Sequence, residues 1–400
     1  MTRTGRRTAA AAPVLVAAVA LIAINLRPGA TSVGPVLEEL RAELGMGSGT
    51  AGVLTSLPPL CFGLVGALAV GLARRAGATA AIALGALALT AGLLLRVTTS
   101  SVWLFLGLTV VALAGIAVGN VLTPAWVKHH GGRIEVALMT LYSTGLVVGG
   151  ALGALLTAPL EGTFGGWRPA LALWGAAALA AVPLWGWLAL REKPLPEDRE
   201  APMVRPARQM AASPTAVAIT ALFGIQSMHA YVQFGWLPQV YRDAGLTATH
   251  AGALVALIAA TGIVGSLTMP VAAARARSLA PFALVFGVLL AGGYAGLLGA
   301  PATLPWLWAL MLGVAGFAFP LAIALLTART RHPQVTAQLS GFVQSVGYLL
   351  AASGPVAVGL LHQATGSWTL VLWLLLASAV PFTWAGLRLS KPAYVDDELG

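Results

Sequence analysis

The residue with the most chemistry to account for is Arg27. It stands in Ala23-Ile24-Asn25-Leu26-Arg27-Pro28-Gly29-Ala30-Thr31-Ser32-Val33-Gly34-Pro35, the end of a long apolar run. A charge at bilayer depth costs roughly 2.5–3.5 kcal/mol even on insertion scales, so it normally faces a bundle interior or a wet path. A guanidinium stays charged at any working pH and offers a planar fork of donors. In a narrow cavity it would hold a small anion by charge-assisted hydrogen bonds. The competing reading is structural: Arg27 would pair with backbone carbonyls freed by Pro28 and Pro35. Asn25 is two residues away and points elsewhere around a regular helix, unless Pro28 distorts it.

A second polar set lies at Gln226, His229, Gln233 and Trp236, spaced i, i+3, i+7 and i+10, which makes one helical stripe. Opposite Arg27 it would form the other wall of a central cavity. His229 titrates near physiological pH, so it is a candidate for a coupling proton or for substrate contact; otherwise it is a neutral, hydrogen-bonded core histidine. Gln344 and Tyr348 share a face at i, i+4, and Tyr142 adds a phenol from another apolar stretch. Each alone reads as a helix–helix hydrogen bond as readily as a ligand contact. Adjacent His129 and His130 sit in a basic loop and read as solvated.

Several chemistries have no sequence support. The phosphate-cradling Gly-x-x-x-x-Gly-Lys-Ser/Thr pattern does not occur. No apolar stretch has a well-buried Asp or Glu for a carboxylate proton relay. Cys61 is the single cysteine and reads as a small buried hydrophobe, without partners for a metal site. No nucleophile–base–acid set is visible, so an enzyme is not expected, and neither a cofactor nor a metal.

The elements that must position these side chains follow from composition. The 400 residues are 58% hydrophobic and only 9% charged, against about 25% charged in soluble chains. That deficit implies an integral membrane protein in a lipid bilayer; the net charge of +10 then concerns orientation, not nucleic acid. Apolar stretches at 12–38, 50–72, 78–96, 101–127, 135–159, 167–190, 214–241, 248–271, 280–299, 304–327, 337–361 and 367–387 predict twelve transmembrane helices in an all-α membrane protein. The run after Arg3, Arg6 and Arg7 reads as a retained first helix, since Asn-Leu-Arg-Pro follows it where a leader would carry a small-residue cleavage site. The charged, proline-rich stretch 191–213 divides the chain into a six-helix bundle at 1–190 and another at 214–390, with a tail at 391–400. With the N-terminus cytoplasmic, eighteen of the 23 basic residues fall inside, four outside (Arg41, Arg96, Arg168, Arg242), and Arg27 within a span. Both termini are then cytoplasmic. Trp103, Trp126, Trp167, Tyr241, Trp306 and Trp368 read as interface anchors.

The halves echo one another. Gly34 and Arg41 find Gly235 and Arg242, Arg74 finds Arg275, and Trp167 finds Trp368, all 201 residues on. A constant offset across six helices implies two parallel six-helix pseudo-repeats, with a site near midplane between them, which is the major facilitator architecture. Gly145, Gly149, Gly150 and Gly153 place small residues on the fifth helix, where helices approach closely.

Asn25-Leu26-Arg27-Pro28, with Thr31-Ser32-Val33-Gly34-Pro35 and Leu54-Thr55-Ser56-Leu57-Pro58, resembles the cyanate permease and 2-nitroimidazole transporter family of the major facilitator superfamily. Trp236-Leu237-Pro238-Gln239-Val240-Tyr241 and Gly341-Phe342-Val343-Gln344-Ser345-Val346-Gly347 support the resemblance. It implies a transporter of a small compound in the bacterial inner membrane. The chain departs from the wider superfamily at Arg74-Arg75, where many members place an aspartate in a gating loop. The expectation is therefore a functional monomer moving a small anionic or polar solute by alternating access. Arg27 would supply the charge, and Asn25, Tyr142, Gln226, His229, Gln233, Trp236, Gln344 and Tyr348 the contacts. The rivals are an exporter of neutral amphipathic compounds and a non-transporting membrane sensor or scaffold.

Overall fold

A computed structural model describes residues 12–192 and 207–399. Most of the 191–213 linker, with Arg3, Arg6 and Arg7, therefore lies outside the described residues. Among those described, the regular structure is helical and twelve helices are long and apolar enough to cross a membrane. They are α1 (Ala12–Leu44), α2 (Ser48–Ala76), α3 (Ala78–Arg96), α4 (Val102–His130), α5 (Glu135–Phe164), α6 (Trp167–Arg191), α7 (Pro214–Asp243), α8 (Ala248–Arg275), α9 (Ala280–Gly299), α10 (Pro305–Ala328), α11 (Pro333–Thr365) and α12 (Thr369–Arg388). In lipid, a helix satisfies its own backbone polar groups, which is why apolar runs of this length adopt it.

Four of the twelve are interrupted near their middles. α1 stops being regular at Asn25 and restarts at Pro28. Proline lacks the N–H that would continue the ladder and restricts the residue before it. Arg27 is that residue and caps the restart: its carbonyl accepts from Ala30 and Thr31 at 3.0 and 3.1 Å. α6 breaks at Ala180, α10 at Gly316–Phe317 and α12 at Ser378. Asn25 Nδ2 donates to the Ala177 carbonyl at the α6 kink, at 3.5 Å, and to Leu21 at 2.8 Å. Asn25 thus serves the fold, and does not turn toward Arg27 as a site residue would.

The two groups of six helices join chiefly along α1–α7, α2–α11 and α5–α8. Glycines set these crossings. A methyl on Gly34 would come within 2.0 Å of the Phe234 carbonyl, and one on Gly359 within 2.4 Å of the Ser48 carbonyl. Gly252 of α8 presses on the Ala154 carbonyl of α5 in the same way. The charged cap is Arg242, bound to both Glu38 and Glu39 at 2.8 and 2.7 Å. All of these lie toward the end of the bundle opposite Arg74 and Arg75.

The aromatic residues divide by environment. Trp103 and Trp306 are exposed on the helix bundle, as anchors would be. Trp126, Trp167 and Tyr241 are buried packing residues instead, because their polar tips find partners in Thr79, Glu43 and the Pro305 carbonyl. His130 is likewise not solvated: it stacks on Trp126 and bonds Glu192 at 2.7 Å. Arg96, expected in an outer loop, is fully buried. The tail carries a short helix, Val395–Leu399, that docks on the second group of helices. Asp396 accepts from the backbone N–H of Arg331 and His332, and Glu398 from Thr215 and Ser213. Burial pushes both carboxyls up, but these donors outweigh it and hold them below their ordinary values.

Candidate functional site

The break in α1 decides what sits around Arg27. Because Pro28 cannot bond back, the Ile24 carbonyl is released from the ladder, and α5 packs directly onto it. A methyl on Gly149 would lie 2.1 Å from that oxygen. Gly145 and Gly153 accept Ala23 and the Pro28–Thr31 turn, and Gly150 backs the Arg27 stem, its added carbon 3.5 Å from Cβ. The small-residue face of α5 is therefore a seat for the broken helix, and it fixes where the guanidinium can go.

The half-buried guanidinium reaches across to the other group of helices. It lies beside the Tyr231 hydroxyl of α7, with Tyr142 of α5 and Tyr348 of α11 within reach of its charge. Tyr142 in turn donates to Asn120 of α4, at 3.3 Å to the carbonyl. Among the described residues no carboxylate pairs with Arg27. Tyr231 and Tyr348 are packed in an aromatic shell. Phe62 meets Tyr348 edge-on at 5.7 Å and Tyr231 at 6.4 Å, and Phe223 meets Tyr348 at 5.0 Å and Phe319 at 5.3 Å. Beside it, a crevice is lined by Gly29, Thr55, Pro58, Thr109, Tyr231 and Gly235 among others. A cation among phenols and aromatic faces can hold a small anion, with the rings covering a flat or apolar body.

Only part of the expected site comes together. Arg27, Tyr142 and Tyr348 do. Gln344 lies one turn from Tyr348 and donates to Ser340 at 2.8 Å. The α7 stripe does not form the opposite wall. His229 is buried between α9 and α12, with Nδ1 2.8 Å from Tyr294 and Nε2 3.0 Å from Ser378. Ser378 already donates to Leu375, so His229 Nε2–H donates to Ser378 and Nδ1 accepts from Tyr294: a neutral ring, fully satisfied. Gln233 donates to Tyr294, and Trp236 to the Pro355 carbonyl. Gln226 is buried beside Gly316 at the α10 break, its Oε1 unmatched by any protein donor. The face of α7 that meets Arg27 is the one carrying Phe223, Ser227 and Tyr231. Tyr231 is the residue the sequence reading missed. It lies on the helical face of Phe223 and Ser227 at i, i+4, i+8, beside a more polar stripe that masks it in the sequence. Arg74 and Arg75 end α2 as exposed cations at a helix C-terminus, where the dipole favours them.

Comparison with known proteins bears on the family and the fold. The sequence model of the Major Facilitator Superfamily matches residues 14–355. The 2-nitroimidazole transporter of Escherichia coli strain K12 is 32% identical over 90% of this chain and 91% of its own. The cyanate transport protein of the same organism is 30% identical over 87% of this chain and 90% of its own. Among solved structures, a bacterial homologue of the human lysosomal transporter Spinster superposes with a TM-score of 0.75, covering 94% and 95% of the two chains at 16% identity. That last likeness is one of fold.

Proposed function

Because this chain belongs to the Major Facilitator Superfamily, we propose that it is a secondary transporter that moves a small, flat anion or strongly polar solute across the bacterial cytoplasmic membrane by alternating access. The observation that carries this reading is Arg27: a guanidinium at mid-span, unmatched by a carboxylate among the described residues, held between phenols from both halves of the molecule. A structural arginine would be expected to spend its donors on backbone carbonyls of its own kink. Here it faces Tyr231 of α7, across the seam that must open and close.

In this reading Arg27 supplies charge, Tyr142, Tyr231 and Tyr348 supply orienting hydroxyls, and Gln344 lies at the edge. The seam is sealed at the Arg242–Glu39 end, which the placement of basic residues assigns to the outside. The relatives named for cyanate and for 2-nitroimidazole make those two compounds the first candidates. The shell of Phe62, Phe223 and Phe319 favours the second reading, a planar heteroaromatic, as much as the charge favours the first.

Counterflow of labelled cyanate and labelled 2-nitroimidazole in proteoliposomes tests this, with wild type beside Arg27→Gln and with and without an imposed pH gradient. Exchange in wild type that is lost in Arg27→Gln supports the site. Equal exchange in both proteins removes Arg27 from the mechanism and returns the chain to the neutral-exporter reading. Binding of either compound without any flux returns it to the sensor or scaffold.

A further inference from the structure

Cations gather without counter-charges at the end of the bundle that carries Arg74 and Arg75. There the backbone N–H of Leu279 donates to the Ser390 carbonyl at 3.3 Å, which ties the turn between α8 and α9 to the end of α12. Arg277, Arg388 and Lys391 stand within two residues of that bond, and all three are exposed. Arg329 is buried and donates Nη2 to the neighbouring Leu389 carbonyl at 2.9 Å. None of the four forms an ion pair among the described residues. The tail acids are engaged elsewhere: Asp396 by His332, Asp397 by Arg331, and Glu398 by Ser213 and Thr215. The positive end of the α9 dipole adds to the same field, with no acid in its first turn.

Toward the membrane this surface turns apolar. Arg388 covers the Trp384 indole at 4.9 Å, and that indole is 53% exposed. α9 and α12 cross closely here: a methyl on Gly386 would come within 2.7 Å of Ala283, and one on Gly287 would strike Thr383. Leu284 and Trp384 adjoin these crossing residues, and Val285 and Val288 follow; all are exposed. Indole rings settle at headgroup depth, and an arginine stem lies along apolar surface while its charge stays in the polar layer. The matching place in the N-terminal half differs. Arg191 covers Trp187 at 4.2 Å at the end of α6, but Glu192 follows at once and bonds His130. The tryptophan–arginine pair is common to both halves; the uncompensated charge around it belongs to the second.

We propose that the α9–α12 edge binds an anionic phospholipid. Arg277, Arg388 and Lys391 take its phosphate, Trp384 sits where headgroup meets chain, and the acyl chains lie along Leu284, Val285 and Val288. A soluble phosphate ester would use the cations but not the exposed indole and aliphatic face below them. The edge shares no residue with the Arg27 site, so the proposal holds whatever the solute.

The test titrates the purified full-length protein in detergent with phosphatidylglycerol or with phosphatidylcholine of the same chains. Wild type should show a saturable rise in Tm of about 2–4 °C with phosphatidylglycerol and none with phosphatidylcholine. A cation near a lipid surface contributes about five-fold in affinity, so Arg277→Gln with Arg388→Gln should raise the half-saturating lipid concentration roughly 25-fold. Arg191→Gln should leave it at the wild-type value. Equal rises with both lipids overturn the proposal, as does an unchanged midpoint in the double variant or the same loss in Arg191→Gln. An equal rise with sn-glycerol 3-phosphate, which has the phosphate without the chains, overturns it too. Should the double variant fail to fold, Lys391→Gln takes its place with a shift of about five-fold, and an unshifted midpoint there overturns the site.

Discussion

The two halves share a plan and differ in where they put charge. Arg27 corresponds to Met228 at the 201-residue offset, and Arg96 to Leu297. Met228 packs against Gly354 of α11, whose added methyl would come within 2.3 Å of its side chain, and Leu297 is buried. The same backbone problem is also solved twice. The kink in α6 is met by Asn25 of α1, and the kink in α12 by His229 of α7. The end of α1 is tied by Glu43 to Trp167, and the end of α7 by Asp243 to Trp368. The lesson is that matching positions maintain the frame while the unmatched ones carry the chemistry. The N-terminal half brings the cation, and both halves bring phenols that face it: Tyr142 from one, Tyr231 and Tyr348 from the other.

The sharpest way to break this comparison is to remove the charge from its own half and give it to the other. Arg27→Gln should lower exchange by about 100-fold or more, given the weight of charge-assisted hydrogen bonds in a low-dielectric site. Adding Met228→Arg to that variant should not restore it, because position 228 points into Gly354. Restored exchange in the double variant would mean the site is symmetric and that our assignment to one half is wrong.

The next test separates the two faces of α7. Tyr231→Phe removes only the hydroxyl that faces Arg27 and should cut transport efficiency about tenfold, the effect of losing a hydrogen bond to a charged group during transport. His229→Gln should leave the solute affinity near wild type and lower Tm, because it unpairs Tyr294 and Ser378. A His229 variant that folds normally yet loses all pH dependence of transport would restore it as a proton carrier.

This division explains what the sequence could disclose. Twelve apolar runs with a duplicated offset are long-range signals, so the spans, the family and Arg27 were legible. Which face of α7 meets Arg27 was not. Gln226, His229 and Gln233 are polar because α9, α10 and α12 break or approach there, and those breaks are tertiary facts. Arg96 was hidden for a related reason. As the last residue of an apolar run it looks like a loop cation, and only the fold turns it back toward Gly29.

Smaller effects should follow at the seam. Arg242→Gln removes the bond to Glu38 and Glu39 and should shift the population of the closed end several-fold, since partly exposed pairs contribute about 1 kcal/mol. Labelling of a single cysteine introduced at Ser48, wild type against variant, reads that shift; unchanged labelling would place the seal in the glycine crossings alone. The smallest effect concerns the tail. Asp396 and Glu398 have folded-state pKa values below their unfolded ones, so their docking contributes fully above the unfolded values, about 3.9 and 4.3. It is lost as pH falls through the folded values. Proteolysis of the tail should be pH-independent from pH 8 to 5 and accelerate below pH 4. Acceleration already at pH 6 would mean that these two carboxylates do not hold the tail.

The interruption of the first helix has a bearing on biogenesis. Among the described residues, fourteen regular ones precede the break, fewer than the roughly 20 that cross a bilayer unaided. The segment emerges from the ribosome before both the glycine face that seats it, on the fifth helix, and the phenol that faces it, on the seventh. Its final depth is thus settled late in synthesis. Nascent chains truncated before Gly149 should leave it accessible to aqueous reagents, and chains extended past Tyr231 should protect it.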